Sequence, residues 1–269
     1  MPRDDKDKLV PDFQLLIDLH RSAERQGPGG EVETLRALDL AGLDRSRPLN
    51  IADIGCGTGA SAIALAKALD AQITAVDFLP EFLDELLSRA NNQGVADRIT
   101  TLNCSMDDLP FAAGEFDVIW SEGAVYNMGF EAGISAGRRF LKPGGKLIVS
   151  EITWLSATRP PELSSHWEIE YPEVDVASAK IGVLERQGYT PEAYFVLPPH
   201  AGVRITIVPW RAVLNRFLRS MATATRPRLS SMRSGMKLPF MKNFGTTTAT
   251  GSMSPRSRWC DRWFGRPIS

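Results

Sequence analysis

Between Leu49 and Trp154 short apolar runs alternate with longer amphipathic stretches. The runs are "LNIADIG" (49–55), "QITAVDF" (72–78), "RITTLNCS" (98–105), "FDVIWSEG" (116–123) and "GKLIVSEITW" (145–154). Each has the length of a buried strand. The stretches between them read as helices: one ending near Leu69, one opened by Pro80 and one running through Phe140. Strand and helix in alternation predict a doubly wound, mostly parallel α/β sheet with helices on both faces. After it come a less regular stretch (155–172), a helix near 174–188 and a strand at "AYFVLP" (193–198). Ahead of the sheet, Leu15, Leu16 and Leu19 fall at helical spacing, Gly27-Pro28-Gly29-Gly30 breaks the pattern, and "EVETLRALDLAGL" (31–43) starts a second amphipathic helix. The chain thus divides into an N-terminal helical extension or lid (1–47), a core (48–200) and an irregular tail (201–269). The break at Arg25 to Gly30 reads as a helix stop or as a lid hinge with Arg25 or Gln26 facing the ligand.

Composition narrows the class. With 269 residues, 43% hydrophobic and 23% charged, the chain can bury one α/β core with an appendage. No apolar run reaches the roughly 18 to 20 residues of a membrane helix, and "MPRDDKDKLV" is too charged for a secretory leader. We therefore expect a cytoplasmic protein with no membrane partner. Cys56, Cys104 and Cys260 are scattered, without the paired spacing of a zinc site or a disulfide framework, so no metal is expected.

The chemistry starts at "IADIGCGTGAS" (51–61). A glycine-rich turn between strand and helix lets a ligand approach the backbone and aims helix N–H groups at its polar end. Gly55, Gly57 and Ala60 also satisfy a dinucleotide fingerprint, and Asp77 at the end of the second strand suits ribose hydroxyls in either case. Asp53 separates the two. Beside a pyrophosphate its carboxylate is repelled; beside a ligand with positive charge and no phosphate it is welcome.

These residues resemble class I S-adenosylmethionine-dependent methyltransferases, of the small-molecule type similar to ubiquinone/menaquinone-biosynthesis C-methyltransferases. The resemblance runs from about Leu49 to Leu197. It rests on Asp53 with Gly55, Gly57 and Gly59, on Asp77, on "DDLPF" (107–111) and on "LKPGGKLIVSE" (141–151). It implies a Rossmann-like methyltransferase fold with a seven-stranded, mostly parallel sheet, S-adenosyl-L-methionine as cofactor and a small-molecule methyl acceptor as partner. It also implies that Gly55, Cys56, Gly57 and Gly59 line the methionine portion and ribose, with Asp53 near the amino-acid end. Asp77 would then take the ribose hydroxyls and Phe78 the adenine face. The adenine amine would meet Ser105, where the family commonly has an acid, with the Met106 N–H and Asp107 beside it. Acceptor candidates are Tyr126, Asn127 and Trp154, and Glu122, Glu151 and His166 are candidate bases for an acceptor that must lose a proton.

The tail departs from this pattern. Residues 201–269 hold 13 Lys and Arg against a single acid, Asp261, within a chain of net charge −1. The resemblance implies a final antiparallel strand within 238–254, yet "GTTTATGSMS" (245–254) has no alternating large apolar face. We read this tail as the product of a reading-frame slip near Ala201, since a one-base shift lets acids and an aromatic strand return in place of the last helix and strand. On that reading its basic charge says nothing of nucleic acid. Two other classes stand beside the methyltransferase: an NAD(P)-dependent oxidoreductase, and a non-catalytic cofactor-fold or nucleic-acid-binding protein.

Overall fold

The computed structural model describes Ile17, residues 20–198 and residues 244–252. Leu15, Leu16 and Leu19 of the expected first helix, and the tail apart from 244–252, lie outside the described residues. In chain order the elements are α1 (Glu31–Leu40), β1 (Leu49–Ile54), α2 (Ala60–Ala68), β2 (Ala71–Asp77), α3 (Pro80–Asn92), β3 (Ile99–Asn103) and β4 (Phe116–Ser121). They continue as α4 (Phe130–Arg138), β5 (Leu141–Trp154), α5 (Pro161–Glu170), β6 (Asp175–Val176), α6 (Ala177–Arg186), β7 (Thr190–Val196) and β8 (Phe244–Ser252).

The sheet runs β3-β2-β1-β4-β5-β8-β7, the expected seven-strand path, and the two-residue β6 adds to β5 off that path. Strands β1 to β6 pair in parallel. Strand β8 enters antiparallel between β5 and β7, matching Phe244 to Trp154 and Ser252 to Lys146. Flanked on both sides, its backbone finds ladder partners in both directions, which a strand rich in threonine and glycine can use without large apolar side chains. The stretch expected to be irregular contains α5, which Pro161 opens in its first turn.

Alternation along the strands divides the core into two faces. Ile51, Ile73, Val118, Trp120 and Ile148 meet Leu38, Leu65, Leu83 and Leu86 on one side. Ala52, Ile54, Val76, Ile119, Leu147 and Val149 meet Phe130, Ile134 and Leu184 on the other. Helix α2 is buried from Ser61 to Ala66, so its small residues let it lie close on the sheet. At the opposite end from the glycine loop, Asp117 accepts from Arg47 at 2.7 Å, from Lys142 at 2.8 Å and from the Asn50 N–H at 2.8 Å. Burial alone would raise its pKa, but these three donors together hold it at about 2. Strand order reverses between β1 and β4, which opens a crevice at the carboxyl ends of the strands, where ligands bind in open α/β sheets.

Candidate active site

A cleft of about 550 Å³ lies at that switch point, within the size range of small-molecule sites. Its floor is the turn after β1. Gly57 has φ +55°, and a Cβ there would fall 2.2 Å from Gln26 Oε1, so only glycine fits beneath the segment that crosses it. Gly55, Cys56, Gly57, Ala60 and Ser61 all face the cleft. Burial pushes the Cys56 thiol up, so it remains a neutral, packed thiol.

At the end of β2, Asp77 accepts the Gly57 N–H on Oδ2 and the Leu79 N–H on Oδ1, each at 2.9 Å. Burial raises its pKa. The next residue, Phe78, is 66% exposed, and Asn103 holds its carbonyl at 2.9 Å, so an aromatic face stands at the rim without covering. Ser105, Met106 and Asp107 complete this corner, with the Ser105 hydroxyl donating to Asp107 at 3.1 Å.

Asp53 is fully buried below the wall. Ser61 donates to its Oδ2 at 2.6 Å, and Oδ1 has no protein partner. Desolvation raises its pKa to about 7, opposed by the Ser61 bond, with the Glu122 carboxylate adding to the rise. A buried, unpartnered carboxylate oxygen beside a glycine cradle fits a ligand that brings a positive charge.

The second half of the sheet sorts the remaining candidates. Tyr126 and Asn127 line the cleft, and Asn127 is fixed by its side-chain N–H on the Ala124 carbonyl at 3.0 Å. Glu122 lines it too, but already accepts from Arg25, from Thr34 at 2.9 Å and from the Trp120 indole N–H at 2.8 Å. Glu151 does not reach the cleft. Strand alternation gives Ser150 and Ile152 to the cleft side and turns Glu151 to the opposite face, where it pairs with Lys180 at 2.8 Å and accepts from Tyr171 at 2.5 Å. Trp154 is buried away from the cleft, with the Arg159 guanidinium 4.5 Å from its ring centre. Gly59 is also off the wall: with φ +87° it turns the chain into α2, and a Cβ there would strike Leu86 at 2.3 Å. His166 falls on α5, with its side chain outside the described residues.

Ser150 and Ile152 were missed by reading acids alone; the period of two around Glu151 is the signal that finds them. Arg25, Gln26, Gly27 and Pro28 line the cleft from the N-terminal segment, where the glycine break is the only sequence cue. Among the described residues no cluster of His, Cys, Asp and Glu could hold a metal ion, and no helix is long and apolar enough to cross a membrane.

The fold is that of a Rossmann-like methyltransferase, with its cleft at the switch point of the sheet. Residues 51–145 match the family model described as a methyltransferase domain. The chain is 36% identical over 118 residues, 42% of its own length, to the ribosomal protein arginine N-methyltransferase rmt3 of Schizosaccharomyces pombe, and covers 22% of that protein. It is 32% identical over 124 residues, 45% of its length, to the 27-O-demethylrifamycin SV methyltransferase of Amycolatopsis mediterranei, and covers 46% of it. The chain therefore spans less than half the length of both relatives. Its fold is similar to that of a methyltransferase from Geobacter sulfurreducens solved with S-adenosyl-L-homocysteine, with a TM-score of 0.75, 16% identity and coverage of 88% of this chain and 97% of that one.

Proposed function

We propose that this chain catalyses methyl transfer from S-adenosyl-L-methionine to a small-molecule acceptor. The observation that carries the reading is the charge of the cleft: Asp77, Asp107 and Glu122 line it against one cation, Arg25, which is already paired with Glu122, while Asp53 lies unsatisfied below. Such a site suits a sulfonium and an ammonium and repels a pyrophosphate, which argues against a nicotinamide cofactor. When bound, the cofactor supplies an already activated methyl group, so the protein's task is mainly to position and to exclude water.

In this assignment Gly55 and Gly57 give the backbone surface for the methionine and ribose. Asp77 accepts from the ribose hydroxyls, Phe78 lies on the adenine and Ser105 to Asp107 meet its edge. Tyr126, Asn127, Ser150 and Ile152 form the acceptor wall, where a hydroxyl, an amide and an apolar side chain can orient a neutral molecule. Glu122 and Glu151 are both engaged in ion pairs and serve structure and binding, so no base is assigned to either. The similarity to the rifamycin O-methyltransferase supports a small-molecule acceptor.

Calorimetric titration with S-adenosylhomocysteine and, separately, NADH tests the cofactor, and transfer of labelled methyl to a panel of neutral phenols and hydroquinones tests the acceptor. Micromolar binding of S-adenosylhomocysteine, about −8 kcal/mol, with none of NADH is the expected result. The reverse preference overturns the proposal.

A further inference from the structure

Behind the acceptor wall, Glu151 on β5, Tyr171 after α5 and Lys180 on α6 meet in a buried group. Tyr171 donates to Glu151 Oε1 at 2.5 Å, and Lys180 Nζ reaches the same oxygen at 2.8 Å and the Tyr171 hydroxyl at 3.3 Å. Lys180 Nζ also stands 4.7 Å from the centre of the ring of Phe130, the first residue of α4. One ammonium thus ties together β5, the segment after α5 and the start of α4. Burial, reinforced by the Glu151 carboxylate, pushes the Tyr171 phenol far up, so it stays a hydroxyl donor.

The segment that begins at Tyr171 reaches the cleft through its neighbours. The Tyr171 ring meets the Tyr126 ring edge to face, with centres 6.1 Å apart and planes at 68°. Tyr126 lines the cleft from the short 3₁₀ turn Val125–Met128, and its hydroxyl has no hydrogen-bond partner among the described residues. Two residues beyond Tyr171, Glu173 accepts the Phe130 N–H at 2.7 Å and the Glu131 N–H at 3.4 Å, first-turn donors of α4 that have no partner within the helix. Gly129, between the turn and α4, has φ +84°, and a Cβ there would fall 2.5 Å from Glu173 Oε1, so the carboxylate closes on the turn only over glycine. Pairing of β6 with Thr153 and Trp154 fixes the far end of the segment to β5, the strand that carries Ser150 and Ile152.

We infer that Tyr171 and Glu173 are positioning residues for the methyl acceptor. They hold the turn at 126–130 by its two ends, so that Tyr126 and Asn127 present a preset wall, and the Glu151–Lys180 pair anchors this clamp from behind. This rests on the acceptor wall assigned above. A wall whose side chains are locked in advance orients its ligand without being reordered on binding. The buried ion pair thereby gains a use beyond stability, to which such pairs often add little.

The chain has four tyrosines, Tyr126, Tyr171, Tyr189 and Tyr194, so 3-fluorotyrosine gives the full chain four fluorine resonances, assigned by single Tyr→Phe substitutions. The variants are Tyr171→Leu, Glu173→Ala and the charge-neutral double variant Glu151→Leu/Lys180→Met, which removes the anchor and leaves no unpaired buried charge. In each, the Tyr126 signal should broaden or split as its ring gains rotamers. Tyr189, which donates to the Ile134 carbonyl on α4, and Tyr194 on β7 should keep their signals and so report an intact fold. In labelled methyl transfer to the same phenols and hydroquinones, Tyr171→Leu should raise the acceptor KM about three- to tenfold, the worth of one aromatic pair, with the KM for S-adenosylmethionine held within about twofold. A single sharp Tyr126 signal in the folded variants, or an unchanged acceptor KM in Tyr171→Leu, overturns the inference. So does an equal rise of both KM values, the mark of general loosening. No transfer by wild type to any of these acceptors overturns the acceptor class proposed above, and the Tyr126 signal alone then decides the positioning.

Discussion

The two halves of the sheet treat their carboxylates differently. In the half built from β1, β2 and β4, acids sit at strand ends and face the cleft or lie just beneath it: Asp53 with an unpartnered oxygen, Asp77 on two backbone N–H groups and Glu122 beside Arg25. In the half built from β5 and its neighbours, Glu151 is equally buried and also has one oxygen without a hydrogen-bond partner, but it is turned away from the cleft and paired with Lys180, with Tyr171 behind it. The same residue type therefore lies at the cleft in one half and in a buried ion pair away from it in the other. One step along a strand decides which.

The largest effect that would sharpen this contrast falls in the second half. Lys180→Met leaves Glu151 buried without its cation and should cost about 3–5 kcal/mol, read as a lowered denaturant midpoint. The affinity of the folded protein for S-adenosylhomocysteine should be unchanged; a parallel loss would show that the halves are not separate. Next comes Gly57→Val, which forces a β-branched residue into φ +55° and against Gln26. Binding should fall by about 100-fold or more, equivalent to about 2.7 kcal/mol.

The third test uses pH. The folded-state pKa of Asp53, about 7, lies above the ordinary value of 3.8. Between those values the native state holds a proton that the unfolded state has released, so this group's contribution to stability falls as pH rises and levels off above about 7. Relative to Asp53→Asn, wild type should therefore lose about 2–3 kcal/mol between pH 5 and pH 8, checked by urea titration of both proteins at each pH. The smallest effect belongs to Gly144→Ala in the turn of β5. Here φ is +78° but nothing lies within 4 Å of a Cβ, so about 1 kcal/mol of backbone strain is expected with no change in binding.

Much of the first half was legible because its information is local. The Asp53-to-Gly57 turn, Asp77 after an apolar run and the strand-helix alternation each lie within a few residues, and the structure places Gly55, Gly57 and Asp77 on one cleft with Asp53 buried beneath it. The acceptor side was less legible because choosing the facing residue needs the phase of a strand. Side-chain chemistry alone points to Glu151 and Trp154, while Ser150 and Ile152 line the wall. Arg25 was harder still, since its partner Glu122 is nearly a hundred residues away and only the fold brings them together. Strand β8 shows the limit of hydrophobic pattern: its place between β5 and β7 comes from backbone pairing, which a run of threonine and glycine does not advertise.

The most direct measurement is hydrogen exchange of the full chain with and without saturating S-adenosylhomocysteine. Binding should add protection in 53–59, 76–79, 104–107 and 122–124 and in residues 20–30, with β5 beyond Ile152 and α6 unchanged. Protection confined to α6 and the far end of β5, with none at the glycine turn, would contradict it.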